Sequence, residues 1–386
     1  NSIFSMNLQF GQGTIENAAL SQSADFISLL GTKNKTFDQY KNELQKIGSK
    51  IEVYANGNYF GFSISGFDKF FNETLDLLNE FMSNMHVRIE DNSKLEKLVE
   101  SSKLTRDQEF KDPSTAGRAL RDYVMYGKKS PFLRRSTLKE VQSMTSNFLI
   151  DQAKEAMQHE VDIFYTGTIN EVAVIDQIKN RVSISENLKA SKSPITMDYK
   201  KHTRNKVFLI DDPKAVQSQI YIMGQGKVLD MESRSTSDVF NKYFGSGMAS
   251  IIFQEIREFR SLAYTAYGAY VNRPDMELPG YFIGYMGTQV DKSMEAISTY
   301  MDLFKNMPIK ENRISTIKSG LTQSINTRKP GWRSQGAYVS RAIKQGYDND
   351  PNILDYNNYD NVNFDDIINF YKNNITKDPI VITILT

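Results

Sequence analysis

The chain predicts an α+β fold: two homologous domains, each an antiparallel-rich sheet with helices packed on one face. Three observations carry this expectation. Alternating strand segments flank turn signals and lead into long stretches of helical periodicity. The second half of the chain repeats motifs of the first at a near-constant offset. A polar, aperiodic stretch separates the two halves.

The elements follow in order. Residues 6–17, MNLQFGQGTIEN, alternate as a strand and end on Gly11-Gln12-Gly13. Those glycines need only make a strand-end turn. Residues 18–30 read as a helix, and Thr36-Phe37-Asp38 opens another that continues through Asn42–Ile47. Lys50–Val53 and Tyr59–Ser65 alternate around Ala55-Asn56-Gly57-Asn58, a hairpin signal. Phe67–Met85 reads as an amphipathic helix with Phe70, Phe71, Leu75, Leu78 and Met82 on one stripe. The second half is expected to repeat this with strands near 265–272 and 280–289 and a helix from Asp291 to Met307.

The repeat is explicit. QIYIMGQGKVLD (219–230) matches residues 6–17 at an offset of 213, with Gly224 and Gly226 on Gly11 and Gly13. SADFISLLG (23–31) meets TSDVFNKYFG (236–245), with Asp25 opposite Asp238. HEVDIFYTGTI (159–169) resembles KDPIVITILT (377–386), each after a helical segment. A period this long means duplicated domains, because solenoid repeats are far shorter. The boundaries expected are 1–182 for the first domain, 183–205 for a Ser- and Lys-rich linker, and 206–386 for the second. Tyr356–Asn361 is expected to be a solvated polar connection, and Trp332 a loop anchor.

Composition excludes several function classes. The 386 residues carry 47 basic and 46 acidic side chains, so no charge excess invites nucleic acid. With 23 Phe and 20 Tyr, there is material for more than one core. Cysteine is absent, which removes disulfides, thiol nucleophiles and thiolate metal sites. No run of about 18 apolar residues occurs, so no transmembrane helix is expected. The first residues lack the basic and apolar segments of a signal peptide and read as a strand already under way. The last residues also stop on a strand. A mature or excised piece of a longer polypeptide is the expectation.

The most informative stretch is GSGMASIIFQEIREFRSLAY (245–264). Gly245 and Gly247 punctuate a turn that lets a helix approach the sheet. The lack of a Lys-Ser/Thr follow-on argues against a phosphate cradle. Met248, Ile251, Ile252, Ile256 and Phe259 are available to one buried stripe. Arg257 and Tyr264 close the run, seven residues apart. This stretch resembles the signature of the C-terminal half of pitrilysin-like (insulinase-type) zinc metallopeptidases, where glycines lead into a helix ending in Arg-Glu-x-x-x-Leu-x-Tyr.

The resemblance implies a two-half enzyme that closes like a clam around a peptide chamber. One half holds zinc on an H-x-x-E-H helix. The other contributes the Arg and the Tyr. Here Gly31-Thr32 matches the Gly-Thr that follows the zinc motif, which places Gln22, Asp25 and Phe26 on the first histidine, the glutamate and the second histidine. The count to the third ligand lands on Lys103. No metal is therefore expected in this chain. Zinc is expected in a partner half, fused or separate, that bears H-x-x-E-H. The remaining histidines, His86, His159 and His202, read as surface or capping residues.

The resemblance further implies that Arg257 holds the peptide main chain or a carboxylate. Tyr264 would donate its phenol toward developing oxyanion charge. Catalysis and substrate binding would thus draw on Arg257 and Tyr264 against a zinc site on the other half, with no complete active site in this chain alone. The alternative is a catalytically inert structural or assembly subunit on the same fold. A bacterial periplasm or cell-envelope location is an expectation from the family.

Overall fold

The computed structural model describes residues 2–327, 329–376 and 379–386. The chain forms two compact units. The first comprises Asn1–Gln108, Leu133–Ile195 and Gly331–Tyr338; the second comprises Glu109–Phe132, Thr196–Pro330 and Val339–Thr386.

In the first unit, strand β1 (Ile3–Phe10) is followed by α1 (Leu20–Ile27), the short β2 (Gly31–Thr32) and α2 (Phe37–Lys46). Strands β3 (Lys50–Ala55) and β4 (Phe60–Phe67) form the expected hairpin, with α3 (Phe71–Asn84) after it and the short β5 (Met85–His86) pairing with β2. The Asn56 carboxamide oxygen accepts from the backbone of Asn58 and Tyr59, an Asx turn that sets the hairpin. Helix α2 starts where Thr36 predicts it: Thr36 and Gln39 exchange side chain-to-backbone bonds in a capping box.

Helix α4 (Asn92–Lys111) leads to α5 (Pro113–Tyr126). Then come α6 (Pro131–Arg134), α7 (Leu138–Ser143), α8 (Ser146–Ala156), β6 (Val161–Thr166) and α9 (Glu171–Arg181). The first unit's main sheet runs β3-β4-β1-β6, antiparallel throughout.

The period of two along β1 explains the core. Phe4, Met6, Leu8 and Phe10 are all buried, and they meet α1, α3 and α8 residues in one apolar cluster. Phe4 packs edge-on against Phe71 at 4.9 Å between centroids. Each such ring contributes roughly 1.5–3 kcal/mol by leaving water. Phe70 is only half-buried, because the α3 region opens with a 3-10 turn at Asp68–Phe70 that rotates it off the stripe.

In the second unit, β7 (Lys206–Ile210) and β8 (Gln217–Gln225) precede α10 (Met231–Phe244), and β9 (Ala263–Val271) and β10 (Tyr281–Gln289) precede α11 (Ser293–Lys305). Helices α12 (Ile314–Thr327), α13 (Gln335–Lys344), α14 (Pro351–Tyr359) and α15 (Phe364–Asn374) follow, α13 lying partly in the first unit, and β11 (Ile380–Leu385) closes the chain. The sheet order is β7-β11-β8-β10-β9, antiparallel except for the β7–β11 pair.

The two central strands, β1 and β8, occupy equivalent places. Strand β1 lies between β4 and β6, and β8 lies between β10 and β11. Each precedes a helix holding one member of the Asp25/Asp238 pair. On β8 the alternation serves two faces. Ile220 and Ile222 join the main helical core, while Tyr221 and Met223 turn the other way and pack with Val124 and Met125 of α5.

The segment 356–361 is largely exposed, as expected, but it is not only a connection. Its first four residues complete α14, and Tyr359 is buried against α10 with its phenol donating to the Asp238 carboxylate at 3.0 Å. Asp355, one turn earlier, accepts from Ser235 at 2.8 Å. Burial, then the nearby Asp355 charge, pushes the Asp238 carboxyl up to about 6 from its ordinary value. A carboxyl raised by folding binds its proton more tightly in the folded chain. Stability is therefore greatest below the unfolded value and falls as pH rises from about 4 to about 6. Urea denaturation across that window should show the midpoint falling with pH, and Asp238→Asn should flatten the slope. A midpoint that is level in both forms would remove this account.

Candidate functional site

The run that carries Arg257 and Tyr264 is built from local irregularities, each with a cause. After α10, Gly245 sits against β9 so closely that an added Cβ would lie 2.2 Å from the Gly268 carbonyl oxygen. The Gly268 amide donates to the Gly245 carbonyl at 3.1 Å, so backbone meets backbone. Gly247 takes a φ of 98°, a left-handed conformation that disfavours any side chain. These glycines act as the close approach and tight turn expected of them.

Ile251 and Ile252 continue as helix, but Phe253–Glu258 widen into a π-helical turn. The Phe259 amide donates to the Gln254 carbonyl five residues back at 2.9 Å. The wider turn takes Phe259 off the predicted stripe, and Met248 lies in the turn before the helix begins. Ile251, Ile252 and Ile256 are buried, whereas Met248 and Phe259 are 74% and 65% exposed. Ser261, at φ 50°, turns the chain into β9.

A second irregularity follows at once. Gly287 pairs with Thr265 and Thr288 pairs with Ala263, so Tyr264 has no cross-strand partner and is the extra residue of a β-bulge. The bulge takes Tyr264 out of the pleat and leaves it 76% exposed. Ala266 and Tyr270 farther along β9 stay buried on the helical face.

The two irregularities bring Arg257 and Tyr264 together. The Arg257 guanidinium lies 5.2 Å from the Tyr264 ring centroid and 4.8 Å from that of Phe253. Its Nε is 3.6 Å from Glu258. Neighbouring charges are occupied elsewhere: Glu255 pairs with Arg260 at 2.6 Å and Lys310 at 3.2 Å, bonds that hold its carboxyl below the ordinary range. The assembly thus presents a half-exposed guanidinium and an exposed phenol side by side. Such a pair can donate to a carbonyl or a carboxylate. It contains no nucleophile and base of its own.

The positions that resemble a zinc motif do not fit the metal. Phe26 has no ligand atom and is fully buried in the first core. Gln22 is half-buried, its side-chain oxygen enclosed without a partner. Asp25 alone keeps a carboxylate, and desolvation pushes its pKa upward. Lys103 is exposed on α4 and would repel a cation. Among the described residues, no three His, Asp or Glu side chains are grouped to hold a metal ion. Nor is any helix there long and apolar enough to cross a membrane. His86 is exposed, His159 sits at an isolated bridge to Lys189, and the His202 Nε2–H donates to the Val124 carbonyl at 3.1 Å.

The family model for the peptidase M16 inactive domain matches residues 158–321, a segment that includes Arg257 and Tyr264. A relative described as an uncharacterized zinc protease of Streptomyces coelicolor is 22% identical over 342 residues, covering 85% of this chain and 72% of its own length. By these matches the chain resembles the pitrilysin-like peptidases, and the family-model match is to their inactive domain. Solved M16 structures share the fold. The peptidase M16 inactive domain from Pseudomonas fluorescens superimposes with a TM-score of 0.75 at 15% identity, covering 99% of this chain and 92% of that one. The periplasmic protease PqqL of Escherichia coli gives a TM-score of 0.75 at 12% identity, and this chain spans 43% of its length.

The π-helical turn and the bulge had no reading in the sequence. The run of β-branched and aromatic residues, Ile251-Ile252-Phe253, is a weak local hint of a disturbed helix. Nothing local marks the bulge. The Gly245 contact is directly testable. Gly245→Ala should cost roughly 1–3 kcal/mol, because the new methyl meets backbone that cannot rotate aside. Urea unfolding measures it, and an unchanged midpoint would show that the contact relaxes freely.

Proposed function

We propose that this chain is the non-zinc half of a clam-like zinc metalloendopeptidase. It would close the peptide chamber and supply Arg257 and Tyr264 to the bound peptide. The observation that carries the reading is the pairing of those two side chains on a π-helical turn and a β-bulge, within a segment matched as an M16 inactive domain. Both irregular features cost regular hydrogen bonding and are over-represented at functional positions.

In this reading the partner half bears H-x-x-E-H, on the same polypeptide or a separate subunit, and its zinc would activate water. This chain's own work is recognition. Arg257, stacked on two rings, would be held rigid enough to grip a peptide carbonyl or carboxylate. Tyr264, freed from the pleat, would donate its O–H where negative charge develops on the peptide. Donors aimed at developing charge are effective because they need no reorganisation at the moment of reaction. The zinc-protease relative and the periplasmic protease on the same fold support peptide hydrolysis and a bacterial envelope location.

The test begins with isolation of the protein together with what binds it, followed by mass spectrometry and zinc analysis. In the complex with its H-x-x-E-H half, Arg257→Ala and Tyr264→Phe should each lower peptide hydrolysis by about 10²–10³ with assembly intact, the size of losing one oxyanion donor. Unchanged hydrolysis in the double variant would refute the assigned roles. Copurification only with non-peptidase proteins would favour the inert assembly subunit.

A further inference from the structure

The second unit contains a cavity of about 600 Å³ that the Arg257–Tyr264 site does not use. It opens beside the face of the sheet on which α5 packs. Its floor is apolar: Val124 and Met125 from the end of α5, Met223 from β8 and Val381 from β11, all buried, with Tyr281 and Tyr199 as walls. Tyr199 is itself fixed, its ring 4.6 Å from that of Tyr281 and capped by the Arg273 guanidinium at 4.4 Å. The volume lies in the range of sites that enclose small ligands, about 300–1,000 Å³.

The rim is of one sign. Lys200, Lys201 and Lys227 line it, all three exposed, and no acidic side chain does so among the described residues. Among the described residues, none of the three lysines forms an ion pair there. His202 also lines the cavity. Its Nε2 lies 3.1 Å from the Val124 carbonyl, which can only accept, so Nε2 carries the hydrogen. Its Nδ1 is buried with no partner. As the acceptor nitrogen of the neutral ring it would take a hydrogen from a donor and would not itself hold an anion, so recognition of a negative charge falls to the lysines.

We infer that this cavity binds a carboxylate carried on an apolar group. The apolar part would lie on Met125, Met223 and Val381, and the charge would rest among the lysines at the mouth. Two sources present this chemistry: a free fatty acid, and the C-terminus of a peptide ending in an apolar residue. The inference does not depend on the roles assigned to Arg257 and Tyr264.

The full chain, labelled with ¹³C at the methionine methyls, tests it. Met125 and Met223 report from the cavity floor, and their signals are assigned with Met125→Leu and Met223→Leu. The probes are decanoate with decanol as its uncharged twin, and N-acetyl-Ala-Leu-Phe as free acid and as amide. At least one acid should shift both methyl signals saturably, and its uncharged twin should bind at least about tenfold more weakly. Lys200→Ala/Lys227→Ala, at exposed positions that leave the core intact, should weaken the acid by a similar factor. Saturation by decanoate alone assigns the fatty-acid source, and saturation by the peptide acid alone assigns the peptide end. The inference is overturned if neither acid moves the two signals, if acid and twin bind alike, or if the double lysine variant binds as the parent chain does.

Discussion

Where Gly245 lies against Gly268, two backbones touch with no side chain between them, and the placement of Arg257 and Tyr264 depends on that contact. It pins the end of α10 to the middle of β9. The chain then has to travel from Gly245 to Ala263 and return to the same strand. The π-helical turn, the left-handed Ser261 and the bulge at Tyr264 are how it closes that path. Each feature departs from regular geometry, and each is held by buried apolar anchors: Ile251, Ile252 and Ile256 below the turn, and Leu262 and Ala263 at the strand entry.

The charges around this path divide their labour. Glu255, Arg260 and Lys310 satisfy one another, so they stabilise the turn and offer little to a ligand. Arg257 is set apart from that cluster and rests on aromatic faces. Its Nε faces Glu258 at 3.6 Å, and the stacking on rings leaves the terminal nitrogens of the guanidinium as in-plane donors. The same economy appears at the duplicated aspartate. Asp25 lies near the surface of α1, while Asp238 is enclosed beside Asp355 and takes a phenol donor from Tyr359. Equivalent positions in the two halves have thus acquired different chemistry from their packing.

The positions that the sequence resemblance sets against a zinc motif carry packing and charge rather than ligands. Phe26 contributes a fully buried ring to the first core, so that position now stabilises by leaving water. Neither the Phe26 ring nor the Lys103 ammonium offers a metal ion a lone pair.

Much of the architecture was legible in the chain itself. The Thr36 cap, the Asn56 turn, the alternation of β1 and β8, and the 213-residue offset all rest on forces between near neighbours or on a period that text alone displays. The pairing of Arg257 with Tyr264 was suggested by their spacing, but their contact was not. A continuous helix would have placed Met248 and Phe259 inward; instead Met248 lies in the turn before the helix and Phe259 follows the π-helical turn. Likewise Tyr359 reads as part of a polar run until α10 brings Asp238 to it. The packing of α5 on the outer face of β8, and the lysine-rimmed cavity beside it, join residues about 100 to 250 positions apart. Sequence determined which elements form and which faces are apolar, because those follow from local propensity and period. Tertiary structure decided which side chains meet, because that is set by the register of distant strands and the few places where backbone can approach backbone.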